Sequence, residues 1–335
     1  MPISSNQKNI LAILADGQFH SGTDLANIIG ISRSAICKQL NGLTELGIEF
    51  SAISGKGYRL NKSLQLLSKT QIEQYLTPIS SGLIKALEIH DCIDSTNRYL
   101  VDKSQQSPRD YFNNTAAVCF SEYQTAGKGR RGREWVSPFG SNIYLSILWS
   151  FQQGPAAISG LSLAVGVAVI RALNECGVGG VGLKWPNDIY WQHRKLAGIL
   201  IEVSGEAGGP CNAVVGLGLN FYLPEKVSQS ITQDWVDLSQ ILVKNPNHLR
   251  NKFAAVLLNH LIPSIANYET DGLQNYLKAW RDYDCMLGKN VNIYQGKKIF
   301  SGIVRGIDDE GLLLLEDNKG VTKAFASGEV SFRKL

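Results

Sequence analysis

The sequence predicts an α+β protein whose three regions differ in hydrophobic periodicity. The first region alternates short amphipathic helices with one β-hairpin. The second is rich in short Val-, Ile- and Leu-containing strands around one long helix, and the third consists of strands separated by turns. A chain of 335 residues is long enough to bury two or three separate cores. We therefore expect three domains, at residues 1–65, 66–285 and 286–335.

The first region has the element order of a winged helix-turn-helix domain. Ser21 and Ser32 each precede an apolar stretch, as helix N-caps do, and Gly30 between them indicates a tight turn. A second turn, at 55–57, joins the two strands of a hairpin. The second and third helices should bury the apolar side chains of Leu25, Ile28, Ile29, Ile36, Leu40 and Leu43.

The third helix of this domain carries polar side chains on the face opposite its apolar residues. In a recognition helix, such side chains reach base edges while cations contact phosphates. The candidate DNA-contacting residues are Ser32, Arg33, Ser34, Lys38 and, on the hairpin, Lys56. The alternative is a three-helix module whose polar face is only solvated, because helix-turn-helix shapes also make protein contacts. The placement of the cations favours DNA binding.

The composition is that of a globular protein, and it predicts neither disulfides nor a structural metal. A net charge of +4 is too small to indicate nucleic-acid binding by itself, so local clusters of cations must decide. The six cysteines are scattered without a C-x-x-C pair, which predicts reduced thiols in a cytoplasmic protein. No basic and apolar leader begins the chain, so secretion is not expected. The apolar stretch 156–173 is interrupted by glycine and serine, which favours a buried helix over a membrane span.

Residues 122–135 read EYQTAGKGRRGREW and form the most informative segment of the second region. The glycines at 127, 129 and 132 match G-x-G-x-x-G, but turn residues follow them where a dinucleotide fold needs a helix N-terminus. Four cations are interleaved with these glycines, at Lys128, Arg130, Arg131 and Arg133. The segment therefore predicts a mobile loop, hinged at its glycines, that closes over phosphate or another anion. The alternative is a basic turn that faces water.

Three further polar segments occur in the second region. The run D-S-T-N at 94–97 can hydrogen-bond a neutral polar ligand, or it can cap the helix that follows. Lys184 opens the run K-W-P-N-D after a buried strand, so it is a candidate point charge for a carboxylate or phosphate. The alternative is a hairpin in which Asp188 pairs with Lys184. The run G-L-G-L-N at 216–220 ends an apolar strand, where glycines indicate a close approach of the backbone to another group.

Two absent motifs narrow the chemistry. None of the Gly-Lys pairs is followed by Ser or Thr, so the chain has no P-loop. There is also no G-x-S-x-G motif and no Cys-His nucleophile arrangement. These absences leave chemistry that depends on positioning and cationic stabilisation, without a covalent protein nucleophile.

The third region predicts a small β-barrel. Its apolar runs alternate with glycine-containing turns at short spacing, which is typical of such folds. The expected strands are 291–294, 298–304, 312–316 and 321–326.

Taken together, these motifs resemble those of biotin protein ligases. The segment D-S-T-N, the loop G-K-G-R-R-G-R-E-W, K-W-P-N-D, K-L-A-G-I-L at 195–200 and G-L-G-L-N occur in the order seen in that family. The winged helix makes the chain similar to the bifunctional bacterial form, which also represses the biotin biosynthesis operon. The similarity covers nearly the whole chain. It implies a central α/β ligase domain with a mixed sheet and an SH3-like C-terminal barrel.

The resemblance implies a two-step reaction. The carboxylate of biotin attacks the α-phosphate of Mg-ATP to form biotinoyl-5′-adenylate and pyrophosphate. A lysine of the biotin carboxyl carrier protein of acetyl-CoA carboxylase then attacks the adenylate and displaces AMP. The resemblance also implies that the adenylate is a corepressor, promoting a homodimer that binds a palindromic operator DNA. The first step needs cations that bring two anions together, which suits the basic loop and Lys184.

By position in these motifs, the resemblance assigns roles to individual residues. The implied biotin-binding residues are Ser95, Thr96, Asn97, Gln124, Lys128, Gly129, Arg130 and Lys184. Those near ATP or the adenylate are Arg130, Arg133, Asn220 and Trp235, the last covering the adenine. Lys184 and Arg130 are the expected catalytic residues, and no metal ligand is assigned to the protein. Lys128 replaces an arginine of the bifunctional enzymes, which keeps the charge but loses the bidentate fork.

Two other functions stay open on the sequence. A ligase-like domain without catalysis would make the chain a purely ligand-sensing transcription factor, and a related ligase would act on lipoate. Labelling of a carrier protein tests the first alternative, and competition between biotin and lipoate tests the second.

Overall fold

The computed structural model describes residues 3–62, 64–106, 114–206, 208–225, 229–242 and 249–332. Within these ranges the elements follow the order of the three predicted regions. Helices with a hairpin come first, a seven-stranded mixed sheet with helices second, and a five-stranded antiparallel sheet third. The protein is therefore α+β, as its sequence predicts.

Three helices and a hairpin form the N-terminal domain. Its elements are α1 (Ser5–Leu14), α2 (Gly22–Ile29), α3 (Arg33–Glu45), β1 (Phe50–Ile53) and β2 (Gly57–Leu60). Ser21 and Ser32 cap α2 and α3, since each side chain accepts a hydrogen bond from the backbone N–H three residues on. Gly30 ends α2 with a φ of 75°, a left-handed conformation that glycine adopts without steric cost. The predicted caps and turn are confirmed.

The core of this domain differs from the prediction at one residue. Leu25, Ile36, Leu40 and Leu43 are buried and Ile29 packs against them, but Ile28 is 65% exposed. The prediction for Ile28 was wrong because the buried face of α2 is centred between Leu25 and Ala26. Ile28 therefore lies on the far side of Leu25, toward solvent.

A seven-stranded sheet forms the centre of the second region. Its strands are β3 (Ile84–His90), β4 (Ala116–Ser121), β5 (Ile143–Phe151), β6 (Val181–Lys184), β7 (Asp188–Trp191), β8 (Arg194–Gly205) and β9 (Cys211–Leu219). Their order across the sheet is β3-β4-β5-β9-β8-β7-β6. Only the pair β3–β4 is parallel among the described strands. The sheet is therefore mixed, as expected.

Helices cover both faces of this sheet. Helix α6 (Thr96–Gln106) packs on one face through Leu100, while α7 (Leu161–Glu175) and α9 (Arg250–Ala266) belong to the large core on the other. The remaining described helices are α4 (Lys69–Glu73), α5 (Pro78–Leu83), α8 (Leu238–Ile241), α10 (Tyr268–Asp271) and α11 (Gln274–Asp282).

The stretch Pro155–Glu175 is long and apolar enough to cross a membrane, judged by length and composition alone. Gly160, with a φ of 80°, separates a 3-10 turn at Pro155–Ile158 from α7. Eleven of the fifteen residues of α7 are buried against the sheet and α9. The stretch is therefore a helix of the protein core, as its sequence predicts.

Five antiparallel strands form the C-terminal domain. They are β10 (Asn290–Gln295), β11 (Lys298–Ile307), β12 (Leu313–Glu316), β13 (Thr322–Phe325) and β14 (Glu329–Phe332), in the order β13-β12-β11-β10-β14. The sequence predicts the first four and misses β14. This domain contacts the turn that follows β6, because Trp185 Nε1 donates a 3.0 Å hydrogen bond to the carbonyl of Gly311.

Candidate active site and DNA-binding face

One cavity of about 500 Å³ brings the separate motifs of the central domain together. Its volume is in the range of small-molecule sites, which are typically about 300–1,000 Å³. Every residue that the resemblance assigns to biotin, to the nucleotide or to catalysis lines it. These residues are Ser95, Thr96, Asn97, Gln124, Lys128, Gly129, Arg130, Arg133, Lys184, Asn220 and Trp235. A single cavity can therefore offer neutral polar groups and cations to one ligand.

The neutral end of the cavity is a buried hydrogen-bond network. The backbone N–H of Thr96 donates to Gln124 Oε1 at 2.9 Å, and Gln124 Nε2 donates to Ser137 Oγ at 3.0 Å. Ser146 Oγ lies 2.7 Å from Thr96 Oγ1 and 2.6 Å from Asn97 Oδ1. Because α6 begins at Thr96, the run D-S-T-N both starts a helix and lines the cavity. The two interpretations of this run are compatible.

Glycines let side chains lie directly against the sheet at this site. A Cβ atom at Gly216 would collide with the amide oxygen of Asn97, and one at Gly218 would collide with the indole of Trp135. The predicted close approach at this strand end is therefore an approach of side chains to the backbone. Gly127 has a similar role, since its Cβ would lie 2.5 Å from the carbonyl of Trp135. Close packing thus requires a glycine at 127, where the sequence suggested a hinge.

The basic loop contains a 3-10 turn at Arg130–Gly132, with φ of 57° at Arg131 and 74° at Gly132. It leads into no α-helix, so it is not a dinucleotide cradle. Arg130 Nη1 donates to Asn187 Oδ1 at 2.9 Å, which joins the loop to the run K-W-P-N-D. On its other side, Arg133 lies 2.9 Å from Glu329 of the C-terminal domain. The loop is thus held from two directions, and it is more than a solvated turn.

Lys184 ends strand β6 and is only 8% exposed. Its Nζ donates a 3.0 Å hydrogen bond to Tyr190 Oη. Burial holds the pKa of the Lys184 amine below its ordinary value, and the charge of Asp188 opposes that effect. A hairpin does join Lys184 to Asp188, but Asp188 makes its 2.9 Å ion pair with Lys195. The hairpin of the alternative interpretation, with Asp188 opposite Lys184, is therefore confirmed, although the Asp188 side chain bonds to Lys195.

Lys195 and Trp135 line the cavity and received no role from the sequence. Lys195 Nζ lies 5.3 Å from the centre of a Trp135 ring. Asn220 Nδ2 donates to the carbonyls of Lys195 and Val236, at 3.3 and 3.2 Å, so it ties β8 to the segment that carries Trp235. The signal for Lys195 was its place in K-L-A-G-I-L, whereas the position of Trp135 depends on tertiary packing.

The proposed DNA-contacting residues of the N-terminal domain are exposed. Arg33, Ser34 and Lys38 on α3 and Lys56 on the hairpin are all exposed. Ser32 is also exposed, but its Oγ caps α3 and lies 2.9 Å from Ser34 Oγ. The hairpin is joined to the residue before the Ser21 cap by two backbone hydrogen bonds between His20 and Tyr58, of 2.9 and 2.8 Å. The hairpin that carries Lys56 is therefore tied to the segment that precedes α2.

A metal site made by the protein alone is not found in the part of the chain that the structure describes. No group of three or more His, Cys, Asp or Glu side chains is placed there to hold an ion. Mg²⁺ commonly binds through one or two carboxylates together with substrate phosphates. Asp188, which lines the cavity, is a carboxylate of that kind.

Comparisons with known proteins agree with this geometry. An HTH domain model matches residues 6–59, the biotin/lipoate A/B protein ligase family matches 89–220, and the biotin protein ligase C-terminal domain matches 286–333. The bifunctional ligase/repressor BirA of Escherichia coli K12 is 40% identical over 324 residues, covering 97% of this chain and 96% of that protein. The chain belongs to the family of bifunctional ligase/repressors.

Other members and structures extend this family assignment. The biotin–[acetyl-CoA-carboxylase] ligase of Mycobacterium tuberculosis is 35% identical over 219 residues, covering 64% of this chain and 77% of that one. A biotin protein ligase from Aquifex aeolicus, solved in complex with biotin and ATP, has a TM-score of 0.60 and 25% identity. It covers 75% of this chain and all of that one. The resemblance to bifunctional ligase/repressors is confirmed.

Proposed function

We propose that this bifunctional ligase/repressor activates biotin with ATP in the central cavity and transfers it to a carrier lysine. Its family membership makes it a biotin–[acetyl-CoA-carboxylase] ligase and a DNA-binding repressor. The observation that carries the residue-level proposal is the meeting of five sequence segments in one cavity. We further propose the domain limits 1–65, 66–285 and 286–335, since the N-terminal helices have a hydrophobic cluster of their own.

Biotin would lie with its urea ring at the neutral end of the cavity. Ser95, Thr96 and Gln124 offer both hydrogen-bond donors and acceptors, from hydroxyl, amide and backbone groups. A urea requires both, because it has two N–H groups and a carbonyl. Asn97 is linked to this cluster through Ser146, which contacts both Asn97 and Thr96. The aliphatic lining residues Leu145, Ile199 and Leu217 suit the apolar part of the same ligand.

The cations would bring the biotin carboxylate and the α-phosphate together. Lys184 is buried at the cavity wall, and Arg130 is held by its hydrogen bond to Asn187, so both are positioned before the ligands bind. Preorganised cations of this kind stabilise charge that develops at phosphorus in the transition state. Lys195 is a third such cation, which we add to the two catalytic residues expected from the sequence. Lys128, Gly129 and Arg133 would close over the bound ligands.

The nucleotide would occupy the side of the cavity lined by Asn220 and Trp235, with the Trp235 indole covering the adenine. Mg²⁺ would enter with ATP, and Asp188 is the lining carboxylate suited to hold it. The ion would neutralise charge on the phosphates.

Transfer needs no protein nucleophile, because the carrier lysine attacks the mixed anhydride itself and AMP leaves. The thiol of Cys285 is partly buried, and this burial raises its pKa to about 12. A thiol at neutral pH is a poor nucleophile compared with a thiolate.

The partners follow from the same proposal. They are the biotin carboxyl carrier protein, operator DNA on the exposed face of Arg33 and Lys56, and a second copy of the chain once the adenylate is bound. A two-fold dimer suits a palindromic operator, because each winged helix binds one half-site. We propose a cytoplasmic location without a membrane partner.

Labelling of a carrier domain tests the proposed function. The protein is incubated with labelled biotin, Mg-ATP and the carrier domain, in parallel with reactions that contain excess lipoate. We expect label on the carrier that depends on ATP and persists with lipoate. An unlabelled carrier would leave only a ligand-sensing repressor, and loss of label with lipoate would indicate a lipoate ligase.

A further inference from the structure

A carboxylate without an assigned role lies behind the neutral end of the cavity. Glu202 on β8 accepts a 2.8 Å hydrogen bond at Oε2 from Nδ2 of Asn97. The other hydrogen of that amide group points to the carbonyl of Leu200 at 3.3 Å. Since a carboxylate and a carbonyl can only accept, they require the Nδ2 side of Asn97 to face them. The amide oxygen therefore faces the network on the opposite side.

This orientation sets the direction of the next two hydrogen bonds. Asn97 Oδ1 carries no hydrogen, so the Ser146 hydroxyl, 2.6 Å away, must donate its single hydrogen to it. The Ser146 oxygen is then an acceptor for the Thr96 hydroxyl at 2.7 Å. Gln124 Oε1 lies farther from the Thr96 hydroxyl, at 3.2 Å, and already accepts the Thr96 backbone N–H. With its hydrogen directed at Ser146, the Thr96 oxygen can accept a hydrogen bond from the cavity.

We propose that Glu202 is a positioning residue for the biotin ring, acting through Asn97 and Ser146 to keep Thr96 an acceptor for a ligand N–H. This inference rests on the proposed function, because it takes biotin as the ligand. A urea presents two N–H donors, and a buried acceptor of fixed direction distinguishes it from ligands without such donors. The contact of Glu202 with Lys128 is longer, 3.8 Å between partly exposed groups, and surface pairs of this kind contribute little.

Steady-state kinetics of ligation by the full chain test this role. Glu202→Ala should raise the KM for biotin about tenfold, because the buried Asn97 amide loses its partner and is free to turn. The KM for ATP and kcat should stay within about twofold, since Glu202 does not line the central cavity. Glu202→Gln should restore most of the biotin KM, because its amide oxygen can still accept from Asn97. Glu175→Ala is the matched control, because that glutamate is paired with His260 and lines no part of the cavity.

A double-mutant cycle separates the two routes by which Glu202 could act. Ser146→Ala should itself raise the KM for biotin. Adding Glu202→Ala should raise it little further, because both changes break the same relay, the chain of hydrogen bonds from Glu202 through Asn97 and Ser146 to Thr96. Glu202→Ala and Lys128→Ala should instead have multiplicative effects. An unchanged KM in Glu202→Ala would overturn the inference, as would independent effects of Glu202 and Ser146. If the wild-type chain fails to ligate biotin, the proposed function fails, whereas a wild-type KM in an active Glu202→Ala variant refutes only the relay.

Discussion

Arg250 and Glu122 form a 2.6 Å ion pair in which the two side chains are 1% and 2% exposed. Arg250 also donates a 3.0 Å hydrogen bond to the carbonyl of Gln65, and Glu122 accepts one from the backbone N–H of Leu67. The pair therefore holds the segment that links the winged helix to the central sheet. Glu122 is also two residues from Gln124 in the chain, so one buried contact adjoins both the linker and the cavity.

Removal of one partner from this pair should strongly destabilise the protein. Glu122→Ala leaves the Arg250 guanidinium buried without a counter-charge, and such a change costs about 3–5 kcal/mol. We expect that loss in the free energy of unfolding measured by urea denaturation. Glu175→Ala, which breaks the more exposed pair with His260, should cost less than about 1 kcal/mol. Equal effects of the two substitutions would contradict a structural role for the buried pair.

Lys184→Ala should slow adenylate formation about 10²–10³-fold, which is the usual effect of removing one preorganised charge from a transition state. The measurement is single-turnover formation of biotinoyl-AMP from biotin and Mg-ATP. Lys69→Ala is the control, because that lysine is exposed on α4 and pairs only loosely with Glu73. An unchanged rate in Lys184→Ala would refute the assigned role of this lysine.

Asp284 should make the folded state less stable as the pH rises from about 4 to about 6. Burial raises the pKa of its carboxyl to about 6, above the ordinary value of 3.8. Between these values the unfolded chain has lost the proton while the folded chain still holds it, so the free energy of unfolding falls with pH. The full effect is about 3 kcal/mol, present below pH 4 and lost above pH 6.

Asp284→Asn should remove this pH dependence, since an amide does not titrate. An asparagine oxygen can still accept the 2.8 Å hydrogen bond from the Met286 backbone N–H. Urea denaturation from pH 4 to 7 on both proteins measures the difference. Parallel stability curves for wild type and variant would show that Asp284 does not titrate as described.

Two substitutions among the proposed DNA-contacting residues should differ in their effects on affinity and on discrimination between operator and random DNA. Lys56→Ala removes a cation that we propose to contact a phosphate, so it should weaken binding to operator and random DNA alike and reduce the slope of log affinity against log salt by about 1. Arg33→Ala removes a side chain that we propose to contact a base edge, and it should reduce the discrimination between operator and random DNA by about 1–3 kcal/mol. Binding titrations on both DNAs at several salt concentrations measure these effects. Loss of discrimination in Lys56→Ala with none in Arg33→Ala would reverse the assignment.

Features that depend on neighbouring residues in the chain could be predicted from the sequence. Ser21 and Ser32 are caps because a hydroxyl reaches an N–H three residues away, whatever the rest of the fold does. The side of α2 that faces the core is decided by packing across the domain. For that reason the sequence misplaced Ile28.

The sequence motifs that line the cavity could be recognised from the sequence. The residues that their side chains contact could not. Asp188 pairs with Lys195 because β7 lies antiparallel to β8 in the sheet, an arrangement that no local pattern specifies. Glu202 and Ser146 were missed for the same reason, since each lies on a strand far in sequence from the Thr96 network it joins. The resemblance assigned roles to individual residues. Only the order of the strands in the sheet shows which of their side chains lie in contact.

Retention of the reaction intermediate tests whether the central cavity joins biotin to the α-phosphate of ATP. The purified chain is incubated with biotin and Mg-ATP without a carrier, passed rapidly through a desalting column and analysed by native mass spectrometry. We expect a mass increase equal to biotinoyl-AMP that disappears, with release of AMP, when the carrier domain is added. A protein that carries biotin alone, or no ligand, would contradict a cavity that joins biotin to the α-phosphate and holds the product.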